Sequence, residues 1–397
     1  MANHRPAAEA LARLTRLEQY LREDPNNLPL LEDAFNVAFA AGEWERARFH
    51  LRHAAALGVT GHTVDFREAH LDLAAHRWQQ ARARLESMRA APGLPVEARD
   101  AVAHDLAYAA FRQGDLDGSH AVLAPLMEPV EARPTPAQQI LWLRLLHHAG
   151  RLEDAVEWVR SRISSDWLVA DASGVASLAA LDLGQLDVAQ AWATAALREN
   201  SQLLEALVAL GTVALARRNP TQARAALRGA LEVHPRDGRA WSALGFVDLL
   251  EQQLDAAIYD FHQAVQSMPD HIGTWNGMGW TNIVRRDMEA AAQAFERAIA
   301  LDRNFGESHG GLAVAYAFLG RREEAEQAIE RANGLDRTNL ASQYASAVLG
   351  GDARDVQTIQ RLAVRLLSRR AGPAGGTMAD WLPPVVEATR EAGDTGQ

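Results

Sequence analysis

The stretch from Gly238 to His271 reads GRAWSALGFVDLLEQQLDAAIYDFHQAVQSMPDH. Apolar and small residues recur in it at helical spacing in two runs, separated by a short polar segment. The first run contains Trp241, Leu244 and Gly245, and the second contains Ala257, Phe261, Ala264 and, at its end, Pro269. This pattern predicts two helices joined by a tight turn.

The spacing of alanines shows that this unit is repeated along the chain. One series, spaced by 34 residues, comprises Ala155, Ala189, Ala223, Ala257, Ala291 and Ala325, and Ala47 and Ala81 have the same spacing near the N-terminus. A second series with the same period comprises Ala196, Ala230, Ala264, Ala298 and Ala332. Small residues at two fixed phases let paired helices approach closely, so we expect these alanines to be packing contacts.

The neighbouring units repeat the order of residue types seen in 238–271. The matching residues are Leu207, Leu210, Gly211, Leu227 and Pro235 upstream, Trp275, Met278, Gly279 and Phe295 in the next unit, and Leu312, Ala313, Tyr316 and Ile329 after it. This pattern resembles the tetratricopeptide repeat, although Arg303 and Arg337 replace the closing proline and Asp248 and Asn282 replace the first-helix aromatic. The resemblance implies an all-α fold, a right-handed α-solenoid superhelix of about nine to ten helix-turn-helix repeats.

Turn and cap residues support the same division into helices. Gly150, Gly184 and Gly320 stand at the turns, where glycine suits a left-handed helix C-cap. Asn219 followed by Pro220 marks the start of a second helix. Asp187 and Asp255 are predicted to cap other second helices.

The register predicts five segments along the chain. Residues 1–27 are expected to form an N-terminal capping helix, 28–135 less regular repeats with an insertion near residues 128–136, and 136–339 regular repeats. Residues 340–370 are predicted to be a degenerate capping hairpin, because a terminal repeat must expose one face to water. Residues 371–397 begin with a glycine-rich run and are predicted to be a flexible tail.

Composition narrows the classes of function. The formal net charge of −11 argues against a general nucleic-acid binder or an anionic-membrane binder. Cysteine is absent, which excludes thiol chemistry. Every basic residue is Arg, which excludes lysine chemistry and is typical of a GC-rich bacterial genome. Since no signal peptide or membrane span is visible, we expect a cytoplasmic protein without membrane insertion.

The resemblance implies that one face of each first helix lines a concave groove for a peptide or helix of a partner. In the C-terminal half the predicted partner-binding residues at this phase are Thr212, Phe246, Leu249, Asn276, Trp280, Ile283, Val314 and Phe318. Trp280 is either a binding anchor or a filler between repeats, because Trp275 already supplies the packing tryptophan of its unit. Asn276 either bonds a ligand amide or is simply solvated.

The same phase in the N-terminal half is more polar. It places Tyr108, Arg144 and several histidines, among them His70, His104 and His147, on the predicted groove. Such a lining could receive an acidic segment when the histidines are protonated, or the histidines could be scattered surface residues with no shared role.

Catalytic and metal signals are absent from the sequence. It contains no nucleophile elbow, P-loop, dinucleotide fingerprint or metalloprotease helix, and no third ligand accompanies His50 and His53. We therefore expect no enzyme activity, no cofactor and no metal. The leading hypothesis is a scaffold or adaptor that binds a protein partner, for example in a bacterial secretion, pilus or envelope-assembly system. The alternative is a self-associating homo-oligomeric scaffold in which the tail around Trp381 docks into a groove.

Overall fold

The computed structural model describes residues 4–129 and 131–351, and those residues form 20 α-helices. The helices are α1 His4–Glu23, α2 Leu28–Ala40, α3 Trp44–Ala56, α4 His62–Ala74, α5 Trp78–Ala90, α6 Val96–Arg112, α7 Leu116–Met127, α8 Pro136–His148, α9 Leu152–Arg160, α10 Ala170–Asp182, α11 Leu186–Glu199, α12 Leu204–Ala216, α13 Pro220–Val233, α14 Gly238–Leu250, α15 Leu254–Ser267, α16 Ile272–Arg285, α17 Met288–Leu301, α18 Gly306–Leu319, α19 Arg322–Leu335 and α20 Leu340–Gly350. The chain is an all-α helical repeat solenoid.

The helices alternate as first and second members of hairpins. From α8 onward the first helices begin at residues 136, 170, 204, 238, 272, 306 and 340, so each begins 34 residues after the last. The chain divides into two compact units, one ending at Ala172 and the other beginning at Ser173. The predicted tail and all but the first helix of the predicted capping hairpin lie outside the described residues.

The alanine phases form the core, as the spacing predicted. Every alanine of both series has no exposed surface, from Ala155 to Ala325 and from Ala196 to Ala332. The helices also approach closely at glycines opposite phenylalanine rings. A Cβ added at Gly245 would lie 2.6 Å from Cε1 of Phe261, and one at Gly279 would lie 2.7 Å from Cζ of Phe295.

The turns agree with the predicted glycine C-caps. Gly150, Gly184 and Gly320 have positive φ values of 70°, 72° and 74°. Arg286 adopts the same left-handed conformation at the end of α16. Asn219 caps α13, since its side-chain oxygen accepts a hydrogen bond from the backbone N–H of Gln222 at 3.1 Å.

One predicted detail was wrong. Asp187 and Asp255 lie inside the first turns of α11 and α15 instead of capping them, and they pair with Arg217 and Arg285 of the following repeats. The third hairpin begins at Val96, directly after Pro95 in the N-cap position.

Candidate functional site

The face of the second unit that carries the predicted contacts is formed by first helices α14, α16 and α18. Its side chains come from the ninth, twelfth and thirteenth residues of each helix, and all of them except Val314 and Ala317 are at least partly exposed. These are Phe246, Leu249 and Leu250, then Trp280, Ile283 and Val284, then Val314, Ala317 and Phe318. None of these nine residues is charged. We call this set the first-helix face.

Trp280 lies at the centre of the face and is half-buried. Its ring centroid is 5.5 Å from that of Phe295 in α17, with the planes at 77°. Together with Ile283 it also packs against buried Ala313 and Val314 of α18. The indole therefore fills space between repeats and also keeps accessible surface, so both roles weighed from the sequence remain compatible with its position.

Phe246 extends the face toward α14. Its ring centroid is 5.0 Å from that of Phe261, and its edge reaches α16, where a Cβ added at Gly277 would lie 2.7 Å from Cζ of Phe246. Leu249, like Phe246, packs against the buried cluster that contains Phe261 and Met278. Both residues are half-buried, so α14 and α16 present a continuous apolar surface.

Val284 and Phe318 are the most accessible apolar residues of the face, at 54% and 39% exposed. The ring of Phe318 lies 6.1 Å from that of Tyr344, which continues the apolar surface onto α20. Large apolar side chains lying together in the open are typical of an interaction surface.

Three predicted site residues support the face from beneath or from its side. Val314 is fully buried. Asn276 is buried, and its Oδ1 accepts a hydrogen bond from the Ser308 hydroxyl at 3.0 Å. Thr212 is half-buried, and its hydroxyl donates to the backbone carbonyl of Val208 at 2.9 Å. The side-chain oxygen atoms of Asn276 and Thr212 therefore both form hydrogen bonds within the protein.

The predicted polar site of the first unit contains a carboxylate that sequence reasoning missed. Asp105 lies between two histidines, with Oδ2 at 2.7 Å from Nε2 of His70 and Oδ1 at 3.0 Å from Nδ1 of His104. Burial alone would raise the pKa of Asp105, but the hydrogen bonds from His104 and His70 outweigh it and hold the pKa below its ordinary value. An ionised Asp105 offsets the positive charge that an acidic ligand would need.

Tyr108 belongs to a second cluster in this unit. Its hydroxyl accepts a hydrogen bond from Arg112 at 2.9 Å, and the Arg112 guanidinium stacks over the Trp78 ring at 4.5 Å from the centroid. Arg144 is exposed on α8. The helical phase of the first helices could not predict the Trp78 contact, because Trp78 lies on second helix α5.

The described residues were also compared with the requirements of a metal site and of a membrane-spanning helix. Residues 4–129 and 131–351 contain no group of three or more His, Asp or Glu side chains that could hold a metal ion. His50 is buried beside Glu18, with 3.2 Å between its Nε2 and the carboxylate. None of the described helices is both long enough and apolar enough to cross a bilayer.

Comparison with protein families matches the regular part of the second unit. Two tetratricopeptide repeat models match residues 208–271 and 285–348. This part of the chain therefore consists of tetratricopeptide repeats. None of the curated protein sequences compared with it matches.

Several solved structures are similar to parts of the chain. The pilF protein of Pseudomonas aeruginosa is 20% identical over 50% of this chain and 90% of its own, with a TM-score of 0.42. YrrB, described as a TPR protein with an unusual peptide-binding site, is 17% identical over 49% of this chain and 98% of its own, with a TM-score of 0.37. MamA is 20% identical over 40% of this chain and 92% of its own, with a TM-score of 0.36. Likeness at this level says nothing about what this chain binds.

Proposed function

We propose that this protein is a non-enzymatic scaffold or adaptor that binds an apolar segment of a protein partner across the first-helix face. The family assignment supports a protein-interaction role. The observation that carries the specific site is that the first-helix face has no charged residue, and that Val284 and Phe318 are exposed on it while Trp280 and Phe246 are half-buried.

The chemistry of the face indicates the kind of segment that fits it. Burial of apolar surface contributes roughly 25 cal/mol per Å², so the partner gains most by placing apolar side chains over Trp280 and Val284. A charged side chain seated there would lose water without gaining a partner charge. The occupant is therefore the apolar side of an amphipathic helix or an extended apolar peptide.

The proposal is tested by comparing charge substitutions on and off the face. Val284→Asp and Phe318→Asp alter exposed side chains, so both variants should fold with wild-type helical content by circular dichroism. Each should reduce capture of the natural partner, from an extract of the organism that makes it, at least about tenfold. Tyr259→Asp is the matched control, since Tyr259 is an equally exposed aromatic at 57% but belongs to second helix α15.

Equal capture by Val284→Asp and wild type would refute the site. Mass spectrometry of the captured protein also tests the predicted setting in bacterial secretion, pilus or envelope assembly. The alternative, self-association through residues 371–397, concerns residues outside the described part and stays a prediction. Light scattering of the chain truncated after residue 370 tests it, because loss of the tail should then lower the measured mass.

A further inference from the structure

Two repeat junctions in the chain contain the same buried ion pair. In each, an arginine at the fifth residue of a second helix pairs with an aspartate at the eleventh residue of the next first helix. Arg48 lies 2.8 Å from Asp72 in the first unit, and Arg224 lies 2.6 Å from Asp248 in the second. Both aspartates are buried. The corresponding residues between α15 and α16 are uncharged, Ile258 and Asn282.

In the first-unit junction the carboxylate of Asp72 is surrounded by arginines. Besides Arg48, its carboxylate accepts a hydrogen bond from Arg77 at 3.1 Å and has Arg84 at 3.8 Å. Glu68 shares Arg48, at 3.4 Å. Arg48, Arg77 and Arg84 thus surround the carboxylate of Asp72.

The second-unit junction has a negative side chain at one position where the first-unit junction has a positive one. At the seventh residue of the second helix, where the first unit has Arg84, the second unit has Asp260. Asp260 is 7% exposed and lies within hydrogen-bonding reach of Asp248. Arg224 is divided between Asp248 and Glu251, and Arg228 offsets part of the remaining charge.

Two carboxylates that share a buried site cannot both be ionised without a large cost. Burial, then the charge of Asp248 and the hydrogen bond to it, raise the pKa of Asp260 to about 7, although Arg224 and Arg228 act in the opposite direction. A proton held between Asp260 and Asp248 turns their repulsion into a hydrogen bond. When these helices unfold, the carboxyl of Asp260 regains its ordinary pKa of about 4.

We infer that Asp248 and Asp260 share a proton that stabilises the packing of α13, α14 and α15, and that loss of this proton weakens the packing. We call these three helices, packed around the two aspartates, the joint. The folded joint keeps the proton at pH values where the opened joint has released it. The contribution of this proton to the stability of the joint is therefore greatest below about pH 4, declines as pH rises toward 7, and is constant above that. The first-unit junction has the same Arg–Asp pair but has Arg84 at the position of Asp260, so it serves as the comparison for this pH dependence.

The joint bears on binding because α14 also carries Phe246 and Leu249. This consequence, and only this one, depends on the proposed function: a partner on the first-helix face would be held more firmly at mildly acidic pH. The joint itself is measured without any partner, so failure of the joint and failure of the binding site give different results.

The test is hydrogen exchange of the full chain by mass spectrometry, corrected for the intrinsic pH dependence of exchange. It compares the opening constants of α14 and α15 in wild type and in Asp260→Asn, which imitates the protonated acid. The ratio of wild type to variant should rise by up to about tenfold per pH unit between pH 5 and 6.5 and level off above pH 7.5. Asp255→Asn is the control on the same helix; Asp255 is exposed, so this variant should follow the wild type.

Peptides from α4 and α5 provide an internal control and should give the same opening constants in wild type and Asp260→Asn. A wild-type to variant ratio that does not change with pH would overturn the inference. So would an equal effect of Asp255→Asn and Asp260→Asn. Should Asp260→Asn fail to fold, the pH at which the Asp260 carboxyl titrates in wild type, measured by carbon-13 NMR, decides the matter: titration near 7 supports the shared proton, and titration near 4 excludes it.

Discussion

Replacing Gly279 by alanine should destabilise the second unit even though alanine is the better helix former. The new Cβ would lie 2.7 Å from Cζ of Phe295 and 2.8 Å from both Cε atoms. The ring has little room to move, because it is fully buried and also packs against α18, where a Cβ added at Gly311 would lie only 2.3 Å from Cε1 of Phe295.

The expected magnitude follows from two opposing effects. Overpacking of this kind costs about 1–3 kcal/mol, while the gain in helix propensity from glycine to alanine is about 1 kcal/mol. The net loss is therefore up to about 2 kcal/mol. Urea unfolding followed by circular dichroism measures it, and midpoints are compared because repeat arrays need not unfold as one cooperative step.

Gly334 provides the matched control. It lies in α19, and a Cβ added there would meet no atom within 4 Å. Gly334→Ala should therefore raise the urea midpoint, by an amount equivalent to about 0.5–1 kcal/mol, whereas Gly279→Ala should lower it. A rise in both variants would refute the close packing of α16 on Phe295.

Three further substitutions test other parts of the account. Asn219→Ala removes the bond to the Gln222 amide and should cost about 0.5–2 kcal/mol by urea unfolding. Burial lowers the pKa of His50 despite its hydrogen bond to Glu18, so the unfolded chain binds the extra proton and stability should fall as pH drops below about 6.5; His50→Gln should reduce that fall in urea midpoints between pH 7.5 and 5.5. Gly320→Ala forces a side chain into a φ of 74° and should lower the thermal midpoint by an amount equivalent to about 1 kcal/mol, whereas an unchanged midpoint would contradict strain there.

The sequence alone was enough to predict the fold, because the 34-residue alanine phases record a packing requirement. Ala257 and Ala264 face a neighbouring helix at a distance that only small residues allow, and both are fully buried. Cap positions were less predictable. Asp255 fits a cap or a first-turn ion pair equally well until the position of Arg285 is known.

The candidate site was only partly predictable, since helical phase identifies a face but not the depth of each side chain. Trp280 and Val314 occupy equivalent ninth positions, yet Trp280 keeps exposed surface and Val314 has none. Asp105 was missed because its role depends on His70, 35 residues earlier in the chain. The charge reversal at Asp260 becomes visible only when the repeats are aligned by helix position.

The most direct measurement of the central claim is site-specific photo-crosslinking in the native cell. A benzoylphenylalanine at position 284 lies on the open part of the first-helix face, and one at position 259 is equally exposed on second helix α15. We expect one discrete protein adduct from position 284, and that adduct should be absent or far weaker from position 259. The same adducts in equal yield from both positions, or an adduct from position 259 alone, would contradict binding at the first-helix face.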